Sequence, residues 1–143
     1  MTHTKPQRHE DASHDIEGLA RVAVVCGFKL HQALGPGLLE SVYEACLFKS
    51  LAERGFLVER QKAVPIRFEG LVLDEGFRID LLVAGQLVIE LKSCEALAPV
   101  HGKQLLTYLR LMDLPLGLLM NFGAASFKEG VRRVANNYYR PIA

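Results

Sequence analysis

The chain has 143 residues, half of them apolar and 23% charged, with a formal net charge of +1. That length suits one domain with a core between two layers of secondary structure. A net charge near zero excludes a protein that binds nucleic acid through a strong overall basic excess. The cysteines (Cys26, Cys46 and Cys94) are odd in number and widely spaced, which argues against a disulfide framework or a zinc site.

We expect neither a targeting segment nor a membrane segment in this sequence. No positively charged start precedes an apolar core, so we expect no secretory signal, and no apolar run is long enough to cross a bilayer. Residues 1–14 are polar and lack apolar periodicity, which predicts a disordered N-terminal tail. We therefore expect a single domain over residues 15–143 in a cytoplasmic protein without membrane contact.

Two helices are predicted before the first strand. Asp15 can cap a helix whose apolar positions keep helical spacing until Gly35-Pro36-Gly37. A second helix should begin near Leu38 and end at Gly55. Its buried stripe is expected to include Leu39, Val42, Cys46, Leu47 and Leu51.

Strands are predicted in the middle of the chain. Two short strands are expected over residues 57–60 and 64–68, followed by a turn at Glu69-Gly70. A long hairpin comes next, because apolar residues recur at every second position from Phe77 to Val83 and again from Leu87 to Leu91, with Arg78, Asp80, Glu90 and Lys92 among the positions between and after them.

The period then becomes helical. Pro99 fits the first turn of a helix that ends before Pro115. Residues 116–122 form a continuous apolar run that is typical of a strand buried on both faces, and residues 127–136 have a helical pattern. Strands around a helical crossover, with helices before and after, predict an α/β fold with a mixed central β-sheet flanked by helices.

Asp80, Glu90 and Lys92 form the candidate chemical site in the hairpin. A three-residue turn centred on Gly85 would place Asp80 opposite Glu90, with their Cβ atoms roughly 5 Å apart. Lys92 lies two residues beyond Glu90 and so points to the same face. Two carboxylates and an ammonium group can hold a divalent cation beside a phosphodiester. The competing interpretation is a half-buried antiparallel strand whose charged residues face water.

Two helical pairs add polar groups to this hypothesis. Glu40 and Tyr43 are three residues apart and share a face of the second helix. Gln104 and Tyr108 are four residues apart and share a face of the third helix. Taken singly, Glu40 is explained by the helix dipole and each tyrosine by packing.

Taken together, five sequence blocks resemble one protein family. They are Gly37-x-x-Glu40-x-x-Tyr43, Arg78 to Val83, Val88 to Lys92, Gln104 to Leu109 and Gly117 to Phe122. Their order and spacing resemble the GxxExxY protein family, which is placed in the PD-(D/E)XK nuclease-like superfamily. The resemblance runs from about His31 to Asn136. It implies a restriction-endonuclease-like core.

The resemblance also implies roles for the hairpin residues. Asp80 and Glu90 match the metal-binding acids of the superfamily, and Lys92 matches its active-site lysine. Mg²⁺ or Mn²⁺ is the implied cofactor, because such ions prefer oxygen ligands. The backbone carbonyl of Leu91 would add a third ligand.

Further roles fall on the helices. By the same resemblance, Glu40 matches the helical glutamate that often completes the site, and Gln104 matches the polar residue on the following helix. Tyr43, Tyr108 and Lys103 are the candidate contacts to nucleic acid.

The sequence leaves two functions open. One is a metal-dependent nuclease that hydrolyses phosphodiester bonds in DNA or RNA. The alternative is a noncatalytic nucleic-acid-binding or assembly module that keeps the nuclease fold, which the near-neutral charge and the lack of an appended recognition domain favour. Participation of a second subunit or a protein partner also stays open.

Overall fold

The computed structural model describes residues 15–139, so the predicted tail over residues 1–14 lies outside the described part of the chain. Helix α1 spans Ile16–Leu34 and helix α2 spans Glu40–Glu53. Asp15 caps α1 as predicted, because its carboxylate accepts the N–H of Gly18 at 3.0 Å. Gly35 follows α1 with a φ of 75°, in the left-handed region that glycine adopts at little cost.

Five strands form one sheet, and their order in the sheet is their order in the chain. They are β1 (Val58–Phe68), β2 (Leu71–Val83), β3 (Leu87–Lys92), β4 (Leu116–Asn121) and β5 (Val131–Ala135). Neighbouring strands are antiparallel except β3 and β4, which are parallel. Helix α3 (Pro99–Met112) makes the crossover between the parallel pair. The predicted mixed sheet with flanking helices is confirmed.

Two predicted elements differ from the structure. The two short strands expected before the hairpin are one continuous strand, β1, in which Gln61 has a φ of 49° and the pairing register shifts between Val64 and Ile66. These irregularities interrupt the alternation of apolar residues, which explains why the sequence suggests two strands.

The helix predicted over residues 127–136 is wrong beyond its first turn. Helix α4 covers only Phe127–Gly130, and the chain continues as β5, which pairs with β4. Without β5, the outer edge of the buried strand β4 would leave its N–H and C=O groups unpaired. Gly130 permits the close turn between helix and strand, since a Cβ there would lie 2.3 Å from the carbonyl oxygen of Asn121.

The sheet separates two apolar clusters. Leu81, Val83, Ile89 and Leu91 face the cluster that contains α1 and α2. The smaller cluster lies under α3 and consists of Ile79, Leu82, Val88, Leu105, Leu109 and Leu119. Each face of the sheet is therefore covered by helices, as an α/β architecture requires.

The buried stripe of α2 differs in part from the prediction. Leu47 and Leu51 are fully buried, but Leu39 is 75% exposed and Val42 is also exposed. Leu39 precedes the helix in an extended conformation, so it does not share the packing face. Tyr43 takes its place in the core.

Within residues 15–139, no helix is both long and apolar enough to cross a membrane. All the cysteines are free thiols.

Candidate active site

The turn between β2 and β3 sets the register of the site. Val83 pairs with Leu87, so three residues form the turn, and the N–H of Gln86 donates to the carbonyl of Val83 at 3.0 Å. Gly85, at the centre, has a φ of 67°. Leu81 pairs with Ile89, so the next residues along the hairpin are Asp80 and Glu90. The predicted three-residue turn and the resulting apposition of these two residues are both present.

Where the backbone pairing of β2 and β3 ends, the side chains of Asp80 and Glu90 make the hydrogen bonds between the two strands. The N–H of Asp80 donates to Oε2 of Glu90 at 2.8 Å, and the N–H of Leu91 donates to Oδ2 of Asp80 at 2.8 Å. Each carboxylate therefore accepts from a backbone N–H on the opposite strand. The exchange holds the two side chains next to each other at the end of the paired region.

The alternation of β2 is interrupted at the same place. Ile79 and Leu82 both belong to the cluster under α3, whereas Leu81 belongs to the opposite cluster. Strict alternation would put Ile79 and Leu81 on one face. The strand thus changes the direction of its side chains around Asp80, whose carboxylate is turned towards β3.

Glu90 lies in an environment that disfavours its charge, since the residue is only 8% exposed. Burial, followed by the neighbouring charge of Asp80, raises the pKa of Glu90 to about 8, while the N–H of Asp80 and the charge of Lys92 act in the opposite direction. A nearby cation would favour the carboxylate form of this residue.

Asp80 shows the same effect. Burial is the main cause of the raised pKa of Asp80, and the negative charges of Glu44 and Glu40 add to it. Hydrogen bonds from Leu91 and Gln61 lower the pKa of Asp80 in part. Both acids of the pair are therefore desolvated and surrounded by further negative charge.

Glu40 and Lys92 lie within electrostatic reach of the pair. Glu40 is the exposed first residue of α2, and its charge raises the pKa of both Asp80 and Glu90. Lys92 is half-buried at the end of β3 and stabilises the charged form of Glu90. The fold thus brings Glu40 to the hairpin residues from a distant part of the sequence.

Two polar residues at the site were not predicted from the sequence. Glu44 is 7% exposed, and its carboxylate accepts from Nε2 of Gln61 at 2.6 Å and from Nε of Arg60 at 3.2 Å. Gln61 also donates to Oδ1 of Asp80 at 3.1 Å. The four-residue spacing of Glu40 and Glu44 on α2 is a signal for the first of these. Gln61 carries no such signal, because its place depends on the register of β1.

Of the three α3 residues predicted to belong to the site, Tyr108 and Gln104 lie close to the acid pair. The ring of Tyr108 stacks on Phe77, with centroids 4.1 Å apart and planes 7° apart. Burial, followed by the charges of Glu90 and Asp80, raises the pKa of Tyr108, and a hydrogen bond with Gln104 opposes this. Tyr108 and Gln104 therefore lie beside the acids.

Lys103 is exposed on α3. Among residues 15–139, no hydrogen bond or ion pair joins its ammonium to the acid pair. Its predicted contact with nucleic acid stays a prediction.

The predicted substrate contact through Tyr43 is wrong. Tyr43 is fully buried, and its ring stacks on Phe122 with centroids 4.4 Å apart. Its hydroxyl donates to the carbonyl of Gly35 at 2.6 Å and accepts the N–H of Leu38 at 3.1 Å. A side chain enclosed in this way fixes the loop between α1 and α2 and cannot touch a nucleic acid.

Comparison with known families identifies this arrangement. A family model of the PD-(D/E)XK nuclease superfamily matches residues 17–134. The chain belongs to the PD-(D/E)XK nuclease superfamily. The mixed five-stranded sheet with flanking helices is consistent with the restriction-endonuclease-like α/β fold of that superfamily. No curated protein and no solved structure matches the chain.

PD-(D/E)XK nucleases generally use divalent metal ions. The donor set of Asp80 and Glu90 fits such an ion, because Mg²⁺ and Mn²⁺ take carboxylate oxygens and a cation would offset the desolvation of two neighbouring carboxylates. Within residues 15–139, no group of three or more His, Cys, Asp and Glu side chains is arranged to hold a metal. Backbone oxygen and water would therefore have to complete the coordination.

Proposed function

We propose that this chain is a metal-dependent nuclease that hydrolyses phosphodiester bonds in DNA or RNA. The observation that carries the proposal is the apposition of Asp80 and Glu90, two desolvated carboxylates held beside Lys92 at the end of a hairpin. Membership of the nuclease superfamily supports the reaction class and implies nucleic acid as the partner.

The carboxylates of Asp80 and Glu90 and the carbonyl of Leu91 would hold Mg²⁺ or Mn²⁺. The bound ion supplies polarisation of a phosphoryl oxygen and a lowered pKa of its water. Lys92 offers a positive charge where negative charge develops on the phosphate oxygens. Glu40 adds a carboxylate at the mouth of the site, and Gln104 orients the hydroxyl of Tyr108 beside it.

We further propose membership of the GxxExxY family within the superfamily. In support, each named residue of Gly37-x-x-Glu40-x-x-Tyr43 has a distinct place. Gly37 has a φ of 97°, Glu40 acts electrostatically on the acid pair, and Tyr43 anchors the loop. Free thiols at Cys26, Cys46 and Cys94 suit a reducing compartment, so we place the protein in the cytoplasm.

A noncatalytic binding or assembly module is the second candidate. The observation that favours it is that Asp80 and Glu90 each accept a backbone N–H from the opposite strand, which gives both carboxylates a structural role. In this candidate function, the two acids serve only to satisfy backbone N–H groups at the end of the hairpin. The overall charge of +1 also fits a protein without strong general affinity for nucleic acid.

Lys92→Ala separates the two candidates, with Lys29→Ala on the exposed side of α1 as the matched control. We expect cleavage of a panel of single-stranded, duplex and branched DNA and RNA, in Mg²⁺ or Mn²⁺, to fall at least roughly a hundredfold in Lys92→Ala. The control should cleave like the parent. A folded parent protein that binds but cuts none of these substrates would refute the nuclease and favour the binding module.

A further inference from the structure

Ser93 joins the end of β3 to the loop that precedes α2. It follows Lys92 directly, and its hydroxyl donates to the carbonyl of Leu38 at 2.5 Å. The two residues are 55 positions apart in the sequence. The bond is therefore a tertiary contact between the strand that carries Lys92 and the segment that leads to Glu40.

The loop before α2 is held from two sides at Leu38. Its N–H donates to the hydroxyl of Tyr43 at 3.1 Å, and its carbonyl accepts from Ser93. The tyrosine belongs to the core, so its bond ties the loop to α2 itself. Ser93 supplies the hydrogen bond from this loop to β3.

The end of β3 is itself firmly attached to β4. The carbonyl of Lys92 accepts the N–H of Phe122 at 2.8 Å, and the N–H of Cys94 donates to Oδ1 of Asn121 at 3.0 Å. Asn121 is 1% exposed. Ser93 thus sits on a rigid base, which makes it suitable for fixing a less constrained segment.

Helix α2 needs such support at its start. Leu39 occupies the N-cap position and makes no side-chain capping bond, so the first turn has no local side-chain cap. Glu40 is the first residue of that turn and is exposed. The position of its carboxylate relative to Asp80 and Glu90 therefore depends on the loop that Ser93 holds.

We propose that Ser93 is a positioning residue. It fixes Glu40 relative to the Asp80–Glu90 pair and holds the start of α2 in place relative to Lys92. This role rests on the proposed nuclease function and deepens it. Ser93 touches neither substrate nor reacting atoms in this scheme. Its hydroxyl acts through the carbonyl of Leu38, so any side chain that keeps the hydroxyl should keep the role.

The test compares Ser93→Ala with Ser93→Thr, which retains a hydroxyl. The matched control is Ser50→Ala, which removes the hydroxyl of a half-buried serine in the last turn of α2, at the opposite end of the helix from Glu40.

The first measurement is amide hydrogen exchange, which needs neither metal nor activity. In Ser93→Ala the amide of Leu38 should exchange at least roughly tenfold faster, while that of Leu118 in the core strand should not change. Ser93→Thr should restore the parent rate, and Ser50→Ala should leave the Leu38 amide as it is in the parent.

The second measurement is steady-state cleavage with Mg²⁺. Misplacement of a site residue by about 1 Å costs up to roughly a hundredfold, so kcat should fall tenfold to a hundredfold in Ser93→Ala. KM should stay within about twofold, because no substrate contact is removed. Ser93→Thr should recover most of kcat, and Ser50→Ala should behave as the parent.

The possible outcomes separate this role from the nuclease proposal. An unchanged Leu38 exchange rate in Ser93→Ala overturns the role, and so does faster exchange with an unchanged kcat. If the parent cleaves nothing, the nuclease proposal fails. Mg²⁺ titration by calorimetry then decides the role of Ser93: equal affinity in parent and Ser93→Ala overturns it, and weaker affinity in Ser93→Ala supports it. A parent that neither cleaves nor binds Mg²⁺ overturns both.

Discussion

Replacement of Tyr43 by phenylalanine tests whether this tyrosine is structural. The substitution removes one oxygen atom and keeps the ring, so the stack on Phe122 should remain. The lost hydroxyl leaves the carbonyl of Gly35 and the N–H of Leu38 without their present partner. The change is therefore confined to two hydrogen bonds at the loop before α2.

The two bonds give the expected magnitude. A hydrogen bond contributes about 0.5–1.5 kcal/mol to the free energy of unfolding, so Tyr43→Phe should lose about 1–3 kcal/mol. For a domain of this size, each kcal/mol lowers Tm by roughly 4 °C. Tyr139→Phe is the matched control, because Tyr139 is 86% exposed and its replacement should change stability by less than about 0.5 kcal/mol.

Urea denaturation and thermal unfolding measure the loss, and a nucleic-acid titration measures affinity. We expect Tyr43→Phe to be less stable than the parent, with unchanged affinity for nucleic acid under conditions where both proteins are folded. A Tyr43→Phe protein that is as stable as the parent but binds nucleic acid more weakly would refute the structural role. It would instead place the hydroxyl in contact with the substrate.

Three other predictions follow from the same structure. Asp80→Ala should abolish the heat of Mg²⁺ binding in calorimetry, and a titration equal to that of the parent would exclude Asp80 as a ligand. The pKa of Glu90, raised to about 8 from 4.5, means that the metal-free protein loses stability as pH rises between these values. In the presence of a chelator at pH 7, Glu90→Gln should therefore be more stable by about 1–3 kcal/mol in urea denaturation; a less stable variant would contradict the assigned cause. Gly123→Ala should destabilise the protein by at least about 1 kcal/mol, because its Cβ would lie 2.3 Å from the backbone oxygen of Cys94, whereas Gly102→Ala, which meets open space on helix α3, should add about 0.5–1 kcal/mol to the free energy of unfolding.

The sequence predicts those parts of the fold that depend on local chemistry. Gly85 at the centre of a short turn, with alternating residues on both sides, indicates a three-residue turn, and this turn places Asp80 beside Glu90. The apolar run over residues 116–122 indicates a central strand, because a run this short is typical of a strand covered on both faces, and β4 is buried along its whole length. In both cases the signal lies within a short stretch of sequence and needs no information about distant contacts.

Other features depend on contacts that local patterns do not specify. Val131 and Val134 are three residues apart, a spacing that fits a helix. The segment is a strand instead, because its backbone pairs with the edge of β4. Gln61 reaches Asp80 only because β1 pairs with β2 in one particular register. Tyr43 has a polar hydroxyl and so could lie at a surface. It is a core residue because its ring stacks on Phe122, which lies far from it in the sequence.

Asp80 and Glu90 depart from what stability alone requires at the end of a hairpin. A hairpin could end with amides or apolar side chains there and avoid the cost of a buried carboxylate at Glu90 beside a half-buried one at Asp80. Their bonds to backbone N–H groups satisfy the hydrogen-bonding capacity of the strands but do not remove the cost of burial, which is the main cause of the raised pKa of each residue. Nearby negative charge adds to this cost, from Asp80 at Glu90 and from Glu44 and Glu40 at Asp80. A divalent cation would offset both desolvation and repulsion, and Lys92 alone only partly does so. The arrangement is therefore better explained by binding of a cation and a phosphate group than by stabilisation of the hairpin.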